Sequence, residues 1–162
     1  MRKKFRELVK KKNKIYANLE LLHWDLETKT PVKSKPYLSD LVAELSMQEY
    51  DLFTSDEFVN LVENLNKEKE NLSEIEKKEI DLSMEDIERM KKIPADEYEA
   101  YAKLTSINQS IWEEAKSKND FSIVKANLEK IFNYNKKFAE YRRKNEKNLY
   151  DVLLNDYEKG MD

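Results

Sequence analysis

Residues 5–31 read FRELVKKKNKIYANLELLHWDLETKTP. Phe5, Leu8, Lys12, Ile15, Leu19, Leu22 and Leu26 recur at alternating steps of three and four, with Lys12 the one interruption. Such spacing lays an apolar stripe along one face of a helix, so it predicts a helix from about Lys3 to Glu27. Pro31 and Pro36 forbid its continuation, because each removes a backbone donor and pushes the preceding residue toward extended geometry. A proline-bounded connector from Thr28 to Pro36 is therefore expected.

The same reading carries along the chain. Leu38, Leu41, Val42, Leu45 and Leu52 mark a second helix ending near Thr54. Thr54-Ser55-Asp56-Glu57 offers a capping box for a third, with Phe58, Leu61, Val62 and Leu65 inward. After the charged turn Asn66–Asn71, Ser73-Glu74-Ile75-Glu76 is a second capping box. It opens a fourth helix carrying Ile80, Met84, Ile87 and Met90, which should stop at Ile93 before Pro94. A fifth presents Tyr98, Tyr101, Leu104, Ile107 or Asn108, and Ile111 with Trp112. Asp120 is the expected N-cap of a sixth, whose stripe is Val124, Leu128, Ile131, Asn135 and Phe138. Beyond Lys144 the pattern loosens. The fold class is all-α: about six helices in antiparallel hairpins, bundle-like, forming a single domain over residues 1–162.

Composition excludes much chemistry. There is no cysteine, so thiolate ligands, thiol nucleophiles and disulfides are absent. The single glycine, Gly160, rules out a P-loop, a dinucleotide fingerprint and a nucleophile elbow. Thirty basic against 33 acidic residues leave a net charge of −3, so no field collects polyanions, and neither nucleic acid nor membrane is an expected partner. No apolar run approaches the ~18 residues of a membrane span, and the basic start lacks a signal-peptide core. The expected location is cytoplasmic. Arg2, Lys3, Lys4, Lys10, Lys11 and Lys12 read as a solvated helix face, not a phosphate-binding patch.

Glu20-Leu21-Leu22-His23 matches the Glu-x-x-His element of di-iron bundles, which need that element twice. His23 is the sole histidine, so only a homodimer with Glu20 and His23 on its axis could complete the site. Zinc sites need more His or Cys than this chain holds. His23 is instead expected near the end of the first helix, its ring covering part of the core. Pairs of carboxylates are too numerous to single out an acid and a base.

Trp24-Asp25-Leu26-Glu27-Thr28 with Pro31 resembles the W-D-x-E-T-x-x-P signature of the carboxypeptidase Taq family, zinc metallocarboxypeptidases with an HExxH helix. Three further segments resemble that family in the same order: Phe53-Thr54-Ser55-Asp56-Glu57-Phe58, the run from Trp112 to Phe121, and the run from Tyr150 to Met161. The last ends in Asp156-Tyr157-Glu158-Lys159-Gly160-Met161, with Lys159 where the family carries proline. The resemblance covers the amino-terminal third of the family and implies a helical wall or cover of a peptide-binding groove. The HExxH ligands and the glutamate that completes the zinc site have no counterpart here. Catalytic, cofactor-binding and metal residues are therefore none in this chain, zinc or another divalent metal belonging to the complete enzyme.

That enzyme would remove carboxy-terminal amino acids from peptides, while this chain, truncated relative to the family, is expected to be inactive alone. Expected partners are the missing catalytic part or a second copy, as a dimer or larger homo-oligomer. The alternative is a stand-alone helical interaction module that has lost the enzyme. Trp24 to Pro31 is expected to hold the first helix against the bundle.

Overall fold

The computed structural model describes residues 1–161. Seven α-helices follow one another: α1 (Arg2–Thr28), α2 (Lys35–Thr54), α3 (Asp56–Lys67), α4 (Glu74–Lys91), α5 (Ala95–Lys118), α6 (Ser122–Arg142) and α7 (Leu149–Leu154). Short 3-10 turns at Val32–Ser34 and Lys69–Asn71 complete the described residues, among which there is no strand. Among the described residues no helix is long and apolar enough to cross a membrane.

The α1 stripe does what its spacing dictates. Phe5, Ile15, Leu19 and Leu26 are buried, with Leu8 and Leu22 packed against them. The interruption at Lys12 is accommodated by its length: the stem lies over the Phe53 ring, Nζ 5.6 Å from the centroid, and the ammonium reaches Asp86 at 3.5 Å. Phe58 stacks against Phe5 at 6.5 Å and meets Phe53 edge-on at 5.6 Å. With Val62, Leu65 and Ile80 these rings form a core drawn from α1 to α4.

Two boundaries differ from expectation because capping groups sit elsewhere. Pro36 lies in the first turn of α2, where its missing N–H costs nothing, so the connector shortens to Lys29–Ser34. At the start of α3 the cap is Ser55, one residue later than the expected box: its Oγ accepts from the Phe58 N–H at 3.2 Å. Thr54 Oγ1 donates back to the Tyr50 carbonyl, 2.9 Å away. The Ser73–Glu76 box forms as read.

α5 corrects the sequence reading most. Its buried residues are Ala102, Ser106 and Ala115, while Ile107 and Trp112 are exposed. Small side chains let α5 lie close along α2, where Ser39 Oγ donates to the Ser106 carbonyl at 3.0 Å. The large residues go to the flanks: Tyr98 stacks on Tyr50 at 4.9 Å, and Tyr101 meets Phe138 of α6 at 5.2 Å. Asn119 ends α5 in the left-handed conformation, φ 51°. The N-cap of α6 is Phe121 and not the expected Asp120, which stands one residue earlier and accepts from the Ser122 N–H at 2.9 Å. The seventh helix lies in the segment whose pattern is loose; Asn148 caps it by accepting from the Asp151 N–H at 3.0 Å, and Val152 is its buried residue.

Candidate functional site

Glu20 and His23 are both exposed on α1. No group of three or more His, Cys, Asp or Glu side chains among the described residues converges to hold a metal ion. The donor chemistry agrees, since one exposed imidazole and scattered carboxylates do not make a zinc site. Part of the basic opening is taken up by the chain's own acceptors. Arg2 donates to the Asn71 carbonyl at 2.7 Å, Arg6 pairs with Glu76 at 2.8 Å, and Lys4 pairs with Glu57.

The first family-like segment closes α1 with backbone groups. The Asp25 carbonyl accepts from the N–H groups of Lys29 and Thr30 at 3.1 and 3.0 Å, and Thr28 Oγ1 donates to the Trp24 carbonyl at 2.6 Å. Its signature side chains, however, point away. Trp24 is 70% exposed, and Asp25, Glu27, Thr28 and Pro31 also face solvent. The segment therefore ends the helix and holds it to the bundle through Leu26 alone, which is buried in the core while the residues of the family signature around it face solvent.

The second segment is structural. Phe53 and Phe58 are fully buried and Ser55 joins two helices. In the third, Ala115 packs inward, Glu113 pairs with the buried Lys35 and accepts from Gln109 Nε2 at 3.3 Å, and Phe121 is bare. The Lys35–Glu113 pair ties the first residue of α2 to α5.

The fourth segment lies elsewhere, over the far end of α6. Arg142 holds Asp156 through two hydrogen bonds, of 3.1 and 2.8 Å. Asn155 Oδ1 accepts from the Gly160 N–H at 3.3 Å. Gly160 has φ +80°, with open space where a Cβ would sit, so backbone conformation and not crowding requires glycine. Tyr157, Glu158 and Met161 are exposed.

Beside this segment is a cleft of about 380 Å³ between α4 and the α6–α7 end. Its charges neutralise one another. Lys144 pairs with Glu88 at 2.6 Å, Lys159 with Glu85 and Arg142 with Asp156, and Lys92 Nζ donates to the Arg142 carbonyl at 3.4 Å. The Lys144 hydrogen bond holds the Glu88 carboxyl below its usual range. The cleft is a closed ion-pair network that fastens the last segment to the bundle. Sequence reasoning missed it because its partners stand 14 to 74 residues apart.

Two acidic groups, Glu49 and Tyr98, are half-buried at the edge of the core. Burial, reinforced by the Asp86 charge, raises the Glu49 carboxyl above its ordinary value, and burial pushes the Tyr98 phenol up to about 12. Neither lines the cleft between α4 and the α6–α7 end. What the arrangement offers is surface: family-like residues whose side chains point outward from a well-packed support.

Comparison with known proteins matches that picture. The family model for carboxypeptidase Taq (M32) metallopeptidases matches residues 4–162. Carboxypeptidase 1 of Bacillus subtilis is 35% identical over 159 residues, covering 98% of this chain and 32% of that protein. Thermostable carboxypeptidase 1 of Pyrococcus furiosus is 37% identical over 141 residues, 87% of this chain and 28% of that protein. The BsuCP crystal structure superposes with a TM-score of 0.93 at 34% identity, over 99% of this chain and 32% of that one. The chain thus spans about a third of the length of the relatives it matches. It belongs to the carboxypeptidase Taq (M32) metallopeptidase family, of which it represents the amino-terminal third.

Proposed function

We propose that these helices form a noncatalytic wall or cover of the peptide-binding groove in a metallocarboxypeptidase that removes carboxy-terminal amino acids from peptides. The observation that carries this reading is the outward display of family-like residues, Trp24, Phe121 and Tyr157, from a core the chain completes by itself. Such side chains are available to a surface that the relatives' remaining two-thirds would supply. Among the described residues no group of three or more potential ligands comes together, so no chemical step is assigned to them. Their part is to shape the groove, restrict the approach of the peptide and support the reactive half in position.

Two measurements test the reading. The purified chain, assayed with peptides and added zinc, should release no amino acids above background. A chimera in which the chain replaces the amino-terminal third of Bacillus subtilis carboxypeptidase 1 should release them, and chelators should abolish that activity. Metal-dependent activity in the isolated chain would overturn the proposal.

A further inference from the structure

Glu85, Glu88 and Lys92 stand at steps of three and four, on one face of α4 and its C-cap. All three engage the chain that follows α6. Glu85 pairs with Lys159, Glu88 pairs with Lys144 at 2.6 Å, and Lys92 Nζ donates to the Arg142 carbonyl at 3.4 Å. Residues 143–161 thus cross beside the cleft as a strap, tied to α4 near both of its ends, and tied by charge. The apolar hold is slight. Val152 is the one buried residue of the strap, and Leu82, which lines the same cleft from α4, is itself 38% exposed.

The strap also has a hinge. At Arg143 the backbone leaves the helical region, φ −52° and ψ 137°, and α6 ends. The Arg143 side chain donates to the carbonyls of Glu146 and Lys147 at 3.0 and 2.9 Å, so the bonds of this loop stay within the strap. α7, with six residues, is too short to persist as a helix in water without support. Ion pairs open to water weaken with salt, since screening sets in at about 10 Å in 0.1 M salt and at about 3 Å in 1 M. Lys144–Glu88 and Lys159–Glu85 are half exposed or more on both sides, whereas the Arg142–Asp156 fork is better covered and less screened. We propose that residues 143–161 form an ionic-strength-sensitive strap, closed on α4 at low salt and released, with α7 melting, when the two exposed pairs are screened. Release opens the cleft at Leu82 and Val152. The fork keeps the released strap at the end of α6, so it closes again when salt is withdrawn.

Hydrogen exchange of the unaltered chain, compared in about 0.05 M and about 1 M sodium chloride, tests the strap. α3, whose Phe58 and Val62 are fully buried, serves as the internal reference. Two exposed pairs contribute enough that exchange in residues 149–158 should quicken at least about threefold relative to α3 at the higher salt. Glu85→Gln combined with Glu88→Gln, both at exposed positions of α4, should exchange fast in that segment at either salt. Lys159→Glu, which sets like charges against each other, should open the strap already at low salt, and adding Glu85→Lys should restore both slow exchange and its salt response. Equal acceleration of the strap and of α3 would overturn the proposal. So would a double glutamine variant that keeps the parent's salt response, or a reversed pair that fails to close the strap.

Discussion

Arg142 and Asp156 face one another in a fork, Nη1 donating to Oδ1 at 3.1 Å and Nη2 to Oδ2 at 2.8 Å. The guanidinium is 12% exposed and its Nε has no partner, so Asp156 supplies the charge that makes this burial tolerable. Asp156→Ala leaves a nearly buried cation unpaired and is expected to cost about 1–3 kcal/mol. Urea unfolding should show the loss, and hydrogen exchange should locate it in residues 149–161. An unchanged midpoint would mean the fork is ornamental.

A contrast between two aromatics tests which family-like residues support the fold. Phe58, fully buried between Phe5 and Phe53, should cost about 3–5 kcal/mol on replacement by Ala. Trp24→Ala, at a largely exposed side chain, should change stability by no more than about 0.5 kcal/mol. Chemical denaturation of both variants decides the matter, and a large loss at Trp24 would restore it as a support of α1.

Glu76 gives the acid limb of stability a definite sign. Its carboxylate accepts from the Ser73 N–H at 3.1 Å and from Ser73 Oγ at 2.9 Å, and it pairs with Arg6 at 2.8 Å. The Ser73 backbone bond is the largest cause, and together these partners lower the pKa from 4.5 to about 2. A depressed carboxylate stabilises the fold above its unfolded pKa, and that contribution is lost as pH falls from 4.5 toward about 2. In Glu76→Gln the dependence of the urea midpoint on pH should flatten within that window. An identical acid limb in the variant would refute the assignment.

Zinc titration probes the lone histidine. Calorimetry at neutral pH should detect no stoichiometric binding, and His23→Ala should leave the trace unchanged. Stoichiometric uptake lost in the variant would revive a site shared by Glu20 and His23 across two copies.

Much of the architecture can be read from residue spacing, and the exceptions have physical causes. The α1 stripe and the Ser73–Glu76 box are local patterns, determined by residues three or four positions apart, and both appear as written. α5 misled because large apolar residues suggest a core face, whereas close approach to α2 is made by Ala102 and Ser106. α7 has six residues, too few for a period to declare itself. Trp24 to Pro31 discloses kinship but not which of its side chains pack, since the buried Leu26 and the exposed Trp24 are both large and apolar in sequence. The Arg142–Asp156 fork and the Lys159–Glu85 pair depend on tertiary placement alone, among many acids and bases that could have paired otherwise.

The most direct test of the central claim is peptidase activity in the chimera carrying this chain in place of the amino-terminal third of Bacillus subtilis carboxypeptidase 1. If these helices form the groove wall without taking part in bond cleavage, kcat/KM should remain within about tenfold of the parent, a loss of about 1.4 kcal/mol in transition-state stabilisation. A folded, metal-loaded chimera that releases no carboxy-terminal amino acids would contradict the account.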